Sequence, residues 1–447
     1  MNRLPSDWSV DRLKDSAGIN VAALSADTDP NYEFDYLEIS NVDYHGIVDP
    51  SAIERLRYED APSRARRRVA KNSTVISSVR PNLQAVAFVP DGRQDFVCST
   101  GFNVVQPNEA KLSPKFAYYV LISEGARQYF EATAKGVGYP AVDDKDFNTL
   151  YVSLPPPPRQ QRIAAYLDAS CAAIDAAVAA KRRQLETLDA LRKTIIQRVV
   201  TRGLAEHVQL APTGNAWMES VPRGWELVCL KRVSEVQTGI TLGKQYEGPL
   251  IERPYLRVAN VQAGHLDLQE VSTIEVPAAV AAGVELRRDD VLMTEGGDLD
   301  KLGRGYLWNG EIEGCLHQNH IFAVRCFRHK LLPKFLTYVT AAKYGRDYFE
   351  ATGKRTTNLA CTNATKVGMF PIPLPKVKEQ EQLIEFLDAR LNQLQNVQQA
   401  LNSQIETLPA YRKSLIHECV TGQRRVTEED LRRAERVGSI STVDHRP

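Results

Sequence analysis

Apolar and polar positions change rhythm twice along this chain. Up to about residue 155, β-branched runs such as Ser73-Thr74-Val75-Ile76 and Phe102-Asn103-Val104-Val105 alternate with Gly, Pro, Asn and Asp punctuation. This is the pattern of a compact α/β domain with many short strands. A helix is expected after Pro114, where Phe116, Tyr119, Val120 and Ile122 fall near helical spacing. The proline stop Pro155-Pro156-Pro157-Pro158 then leads into a long helix beginning near Arg159, since proline lacks only an N–H that a first helical turn leaves unpaired anyway. In that helix Leu167, Cys171, Ile174, Val178, Leu185, Leu188, Ile195 and Val199 recur in steps of four and three, skipping slots at Lys181 and Arg192. The whole alternation then repeats, with a second helix expected after Pro333. A second proline stop, Pro371-Ile372-Pro373-Leu374-Pro375, precedes a long helix from near Glu379 with the seam Leu387, Leu391, Leu394, Leu401, Ile405, Leu408, Leu415 and Cys419, skipping Gln398 and Arg412.

The repetition is literal in places. Tyr36-Leu37-Glu38-Ile39-Ser40-Asn41-Val42 returns as Tyr255-Leu256-Arg257-Val258-Ala259-Asn260-Val261, and Tyr129-Phe130-Glu131-Ala132-Thr133 returns unchanged at Tyr348-Phe349-Glu350-Ala351-Thr352, both at an offset of 219 (255 − 36 and 348 − 129). Leu167-Asp168-Ala169 and Leu387-Asp388-Ala389 stand 220 apart. Matches at one offset, separated by stretches that do not match, mean two copies of one unit whose frame is fixed and whose inserts diverged. Each seam is about 50 Å long at 1.5 Å per residue, more than a domain of this size covers, so the two helices are expected to pack on each other. Pro409 is expected to kink or break the second. The chain therefore reads as domains at 1–155 and 205–375, long helices at 156–204 and 376–422, and a charged tail at 423–447 that contains one surface helix capped by Thr427.

At 447 residues the chain exceeds one core, in agreement with the duplication. Its formal net charge of +1 excludes a bulk polycation, so any nucleic-acid partner must meet a local positive field. Seven scattered cysteines without a C-x-x-C indicate reduced thiols and a cytoplasmic protein. No apolar run follows Arg3, so neither a signal peptide nor a membrane span is expected.

Catalytic motifs fail on inspection. Gly239-Ile240-Thr241-Leu242-Gly243-Lys244 is one residue short of a P-loop and lacks its Ser or Thr. No Asn-Pro-Pro-aromatic or Asp-Pro-Pro-aromatic motif for adenine methylation occurs. Cys315, His317, His320 and Cys326 match no zinc spacing, so no metal site is expected and no catalytic residue is assigned.

Binding chemistry is easier to find. Arg64, Arg66, Arg67, Arg68 and Lys71, with Arg80 following, form the densest basic cluster. Such a run is either a solvated face or, on an extended loop, a set of forks for phosphate oxygens and guanine edges. The second copy offers Lys244, Gln245 and Tyr246, then Lys301 and Arg304, then His317, Gln318, Asn319 and His320, and finally Lys354, Arg355 and Asn358. Gln and Asn pair bidentately with adenine while Lys and Arg reach guanine, so this mixture suits base readout as well as backbone grip.

Pro254-Tyr255-Leu256-Arg257-Val258-Ala259-Asn260-Val261, Thr294-Glu295-Gly296-Gly297-Asp298 and the run Glu379-Gln380-Glu381-Gln382 after Pro375 resemble the specificity subunit of type I restriction-modification systems. The resemblance spans nearly the whole chain, leaving only the tail, and the first copy lacks the Thr-Glu-Gly-Gly-Asp string. It implies an α/β architecture of two tandem pseudo-symmetric target recognition domains joined by two long antiparallel coiled-coil helices. It further implies a non-catalytic, DNA-binding chain that holds no cofactor itself. Its partners would be double-stranded DNA, two methyltransferase subunits carrying S-adenosylmethionine, and restriction subunits using ATP and Mg. The competing readings are a DNA-binding defence or replication scaffold without a methylase, and a structural coiled-coil protein with globular ends.

Overall fold

The computed structural model describes residues 4–42, 48–80, 85–90, 95–138, 140–262, 264–297, 302–303, 305–355 and 360–443. The chain divides into two compact units that do not follow chain order: Met1–Arg182 with Asn402–Pro447, and Arg183–Leu401. Each unit thus holds one α/β domain and a half of each long helix, Pro157–Arg202 and Val377–Val420.

In unit 1, one four-stranded sheet runs in the order Ala17–Ile19, Phe102–Pro107, Ser73–Ser77, Val86–Val89, and a second in the order Glu54–Arg57, Glu33–Leu37, Phe96–Ser99, Ala65–Arg68. Ser9–Arg12 pairs antiparallel with Tyr151–Leu154, the strand that leads into the long helix. Unit 2 repeats the plan. Ser234–Thr238, Ile321–Cys326, Val291–Thr294 and Gly305–Leu307 form the matching four-stranded sheet, and Glu226–Cys229 pairs with Pro371–Leu374.

The repeated sequence motifs are the bolts of this frame. Asn41 accepts the Glu38 N–H at 2.6 Å and donates to the Ala52 carbonyl; Asn260 accepts the Arg257 N–H at 2.8 Å and donates to the carbonyls of Asp267 and Glu270. Phe130 and Phe349 are buried, while the preceding tyrosine hydroxyls donate at 2.8 Å to the carbonyls of Asp146 and Lys366.

Where each domain meets its helix, the same chemistry recurs. Gln160 is fully buried; its oxygen accepts the Ser113 N–H at 2.7 Å and its amide donates at 2.8 Å to the carbonyls of Lys111 and Pro155. Gln380 does the same for Leu332, Lys330 and Pro375 at 2.8, 2.7 and 2.9 Å. Two turns on, Asp168 takes Lys115 Nζ at 3.1 Å and the Tyr119 hydroxyl at 2.7 Å, and Asp388 takes Lys334 Nζ at 2.6 Å and the Tyr338 hydroxyl. Burial pushes both tyrosines far above their ordinary pKa, and the neighbouring carboxylates push in the same direction.

The helix seam is used within both units. In unit 1, Leu167, Cys171 and Ile174 share a core with Leu415, Ile416 and Cys419. Asp175 faces Arg412 at 3.8 Å and Lys181 donates to Gln404 at 2.5 Å, so one helix ascends as the other descends. In unit 2, Ile195, Ile196, Val199 and Val200 pack with Leu383, Leu387 and Leu391. Leu394 is also buried, and Val178, Leu185, Leu188, Leu401, Ile405 and Leu408 are half-buried.

Two expectations change. The second long helix continues through Pro409 without a break: the proline is exposed, so water can take the carbonyl it leaves unpaired, while Leu408 and Leu415 stay in the seam. The first long helix also proves long and apolar enough, by composition, to cross a bilayer. Its apolar residues Ile163, Leu167, Cys171 and Ile174 are instead in the unit 1 core, alongside the pinned Asp168.

The tail helix Glu428–Val443 begins at Thr427, whose hydroxyl accepts the Asp430 N–H at 3.2 Å. Val426 is buried in the unit 1 core, and Glu428 meets Arg162 at 3.2 Å.

Removing either buried glutamine amide strands two carbonyls and one N–H. Gln160→Ala and Gln380→Ala should each destabilise their own unit by about 3 kcal/mol, measurable by urea unfolding, with similar losses because the two networks match.

Candidate nucleic-acid interface

Arg66, Arg67 and Arg68 of the unit 1 basic cluster lie on a strand and not on the extended loop their sequence suggested. Ala65–Arg68 pairs with Phe96–Ser99 on one side. On the other, Leu24 donates to the Arg66 carbonyl and Arg68 to the Ala22 carbonyl. Arg66 is the extra residue of a bulge, a device that re-aims a side chain, and its guanidinium stacks 4.7 Å above the Tyr58 ring. Arg68 lies 5.2 Å over Tyr32 and donates to its hydroxyl at 3.3 Å. Such stacking fixes the fork while leaving its outer N–H groups available. Sequence pattern gave no sign of the two tyrosines, because only the fold brings them beneath the arginines.

Arg67 does not face outward. Its guanidinium donates to the Phe102 carbonyl and, at 2.8 Å, to Asn103 Oδ1. Burial draws its pKa down, opposed by Asp144 3.9 Å away. A charge run is read as solvated because sequence does not say which member turns inward; here one pins two sheets together. Arg64, Lys71 and Arg80 are exposed, Arg80 at a left-handed φ of 50°.

In unit 2, Lys244 lies 5.4 Å over the ring of Tyr246, which packs on a small apolar cluster with Ile240, Tyr255 and Leu316, and Gln245 is exposed. His317 is fully buried, its Nδ1 bonded to the Ile321 carbonyl at 2.7 Å. Burial lowers its pKa and holds the ring neutral, so it is a core residue and not a DNA contact. Gly239 explains the crowding: a Cβ there would lie 1.9 Å from the His317 carbonyl oxygen. Gln318 and Asn319 are half-buried, and their N–H groups bond the carbonyls of Leu256 and Ile240.

His320 is half exposed, and its Nδ1 bonds Glu295, which nothing in the sequence pattern marked as its partner. Lys354 is exposed on the two-residue strand Lys354–Arg355, which pairs with Ala360–Cys361 and through it with Gly296–Gly297. Lys301, Arg304, Asn358 and the side chain of Arg355 lie outside the described residues. Cys315 is buried and Cys326 largely so, and burial raises both thiols to about 12, the behaviour of inert core cysteines.

Fold and family together define the class. Residues 5–187 match the family model for the type I restriction modification DNA specificity domain. Through that domain, the chain is similar to the specificity subunits of type I restriction-modification systems. Among its relatives, the MjaVIII specificity subunit of Methanocaldococcus jannaschii is 23% identical over 75% of this chain and 76% of that protein. The EcoKI specificity subunit of Escherichia coli K12 is 21% identical over 73% and 69%. The putative MjaX specificity subunit of M. jannaschii is 26% identical, but the chain spans only 46% of its length. The HsdS subunit of Thermoanaerobacter tengcongensis shares the fold at a TM-score of 0.62 and 20% identity, covering 95% of this chain and 99% of that one. A chain solved in work on complex assembly and conformational transition of the type I R-M system does so at 0.76 and 21%, covering 95% and 100%.

Arg67→Ala should lower unit 1 stability by about 2 kcal/mol by stranding buried acceptors, whereas Arg64→Ala should stay within about 0.5 kcal/mol of wild type. Thermal melts of the two variants check the contrast.

Proposed function

We propose that this chain selects the DNA target of a type I restriction-modification complex, reading a bipartite, asymmetric site with one recognition domain per half-site. The observation that carries this reading is the duplication itself: two frames alike in topology and anchoring hydrogen bonds bear unlike polar side chains, as two readers of different sequences require. Arg66 and Arg68 on their tyrosines serve the first half-site. Lys244, His320 and Lys354 serve the second, with Lys301, Arg304, Arg355 and Asn358 adding to it.

In this reading the chain works in the cytoplasm and holds no cofactor. Two methyltransferase subunits bring S-adenosylmethionine and methylate adenine at N6, and restriction subunits bring ATP, Mg and cleavage. Readers on one face of B-DNA need half-site centres about 10 bp, or ~34 Å, apart. The two long helices act as the spacer that sets the unread gap.

Two experiments test this. Arg64→Ala and Lys71→Ala should each reduce the slope of log affinity against log salt by about 1, because each gives up one phosphate contact; fluorescence anisotropy across a salt series measures it. For the spacer, a heptad inserted at equivalent points of both long helices, in a complex co-expressed with the neighbouring methylase, should change the gap in the methylated motif while preserving both half-sites. N6-methyladenine mapping reads this out, and altered half-sites with an unchanged gap would refute the spacer role. Specific DNA binding with no methylase partner and no motif would favour the scaffold reading instead.

A further inference from the structure

The two units share a backbone junction at the end of the four-stranded sheet, and there the side chains part company. In unit 1, Ser78 N–H donates to the Gly101 carbonyl at 2.8 Å, and Val142 N–H to the Ser78 carbonyl at 2.9 Å. In unit 2, Glu295 N–H donates to the His320 carbonyl at 2.8 Å, and Thr362 N–H to the Glu295 carbonyl at 2.7 Å. The adjoining bridges repeat as well: Val79 with Ala141 and Lys135 with Ala141, against Gly296 with Cys361 and Lys354 with Cys361. Ser78 and Glu295, Gly101 and His320, and Lys135 and Lys354 therefore occupy equivalent places.

Their chemistry differs in one direction. The Ser78 hydroxyl turns back to the Gly101 carbonyl at 2.9 Å, and Gly101 has no side chain to offer. Lys135 is neutralised by Asp143 at 2.6 Å and Asp146 at 3.0 Å. The same helix cap recurs in unit 2, with Asn363 accepting the Lys366 N–H at 2.9 Å where Asp143 accepts the Asp146 N–H at 2.8 Å. There, asparagine and lysine replace the two aspartates, and among the described residues no carboxylate pairs with the exposed Lys354. Two strands along the same small sheet, next to Gly296, Glu295 holds an imidazole whose side chain is 51% exposed.

We infer that Glu295 and His320 form a base reader for the second half-site, His320 contacting the base edge and Glu295 positioning the ring, with no counterpart at the same place in unit 1. This rests on the proposed DNA-reading function. Glu295 accepts from Nδ1–H, which leaves Nε2 as the remaining polar atom of the ring. That atom can accept from the exocyclic amino group of adenine or cytosine in the neutral ring, or donate to guanine O6 or N7 in the imidazolium, so it can read a base edge in the major groove. Lys354 supplies a phosphate contact that keeps the ring over the groove.

The test uses the full chain in complex with its methylase. His320→Ala should relax one position of the second half-site, lowering discrimination there roughly 10- to 100-fold, with the first half-site and the gap unchanged. Glu295→Ala should relax the same position, and Glu295→Gln, whose amide oxygen can still accept from Nδ1–H, should restore it. The double variant Glu295→Ser with His320→Gly transplants the unit 1 pair and should match His320→Ala. N6-methyladenine mapping and competition binding with single-base target variants provide the readouts, and a circular-dichroism melt close to wild type shows that the main-chain junction has survived. Unchanged discrimination at every position, or a uniform affinity loss without relaxation, would overturn the assignment. Absence of any methylated motif with the unaltered complex would count against the proposed function and not against this pair.

Discussion

A buried side-chain amide at the foot of each long helix is the constraint on which each unit depends. Gln160 and Gln380 each satisfy three main-chain groups, two from the segment before the domain's own helix and one from the proline stop. Main-chain groups buried without partners cost about 1 to 3 kcal/mol each in proteins, so that segment has one place to sit. Asp168 and Asp388 then hold the domain helix through a lysine and a tyrosine. Each aspartate thus meets a cation and a hydroxyl donor at the point where the domain helix lies against the long one.

A frame anchored in this way lets the outer side chains change without moving the backbone. The four-stranded sheets, the asparagine-closed turns and the helix caps are superposable in chemistry, yet unit 1 presents arginines stacked on tyrosines where unit 2 presents a loop lysine and a carboxylate-held imidazole. Charge is distributed in the same spirit. A chain with a formal net charge of +1 concentrates its cations by placing them over aromatic faces and by exchanging neighbouring aspartates for asparagine and lysine.

The architecture was largely legible from residue spacing. The constant offset announced two copies, and the seams announced the helices, because a period near 3.5 over about nine turns has few other physical explanations. Individual side chains were less legible. Arg67 and His317 sit in the most polar stretches of the chain and are nonetheless buried, each because a main-chain carbonyl waits for it across a gap of sequence. Pro409 carried a helix-breaking signal that its solvent-facing position neutralised.

Sequence alone determined the duplication, the helix pair and the class of chemistry, since periodicity, offset and residue type are properties of the chain read in one dimension. Tertiary structure decided which polar residues are built into the frame and which stay exposed on it. Burial and hydrogen-bond satisfaction depend on what arrives from elsewhere in the fold: Tyr58 and Tyr32 beneath the arginines, Phe102 and Asn103 around Arg67, and Glu295 beside His320.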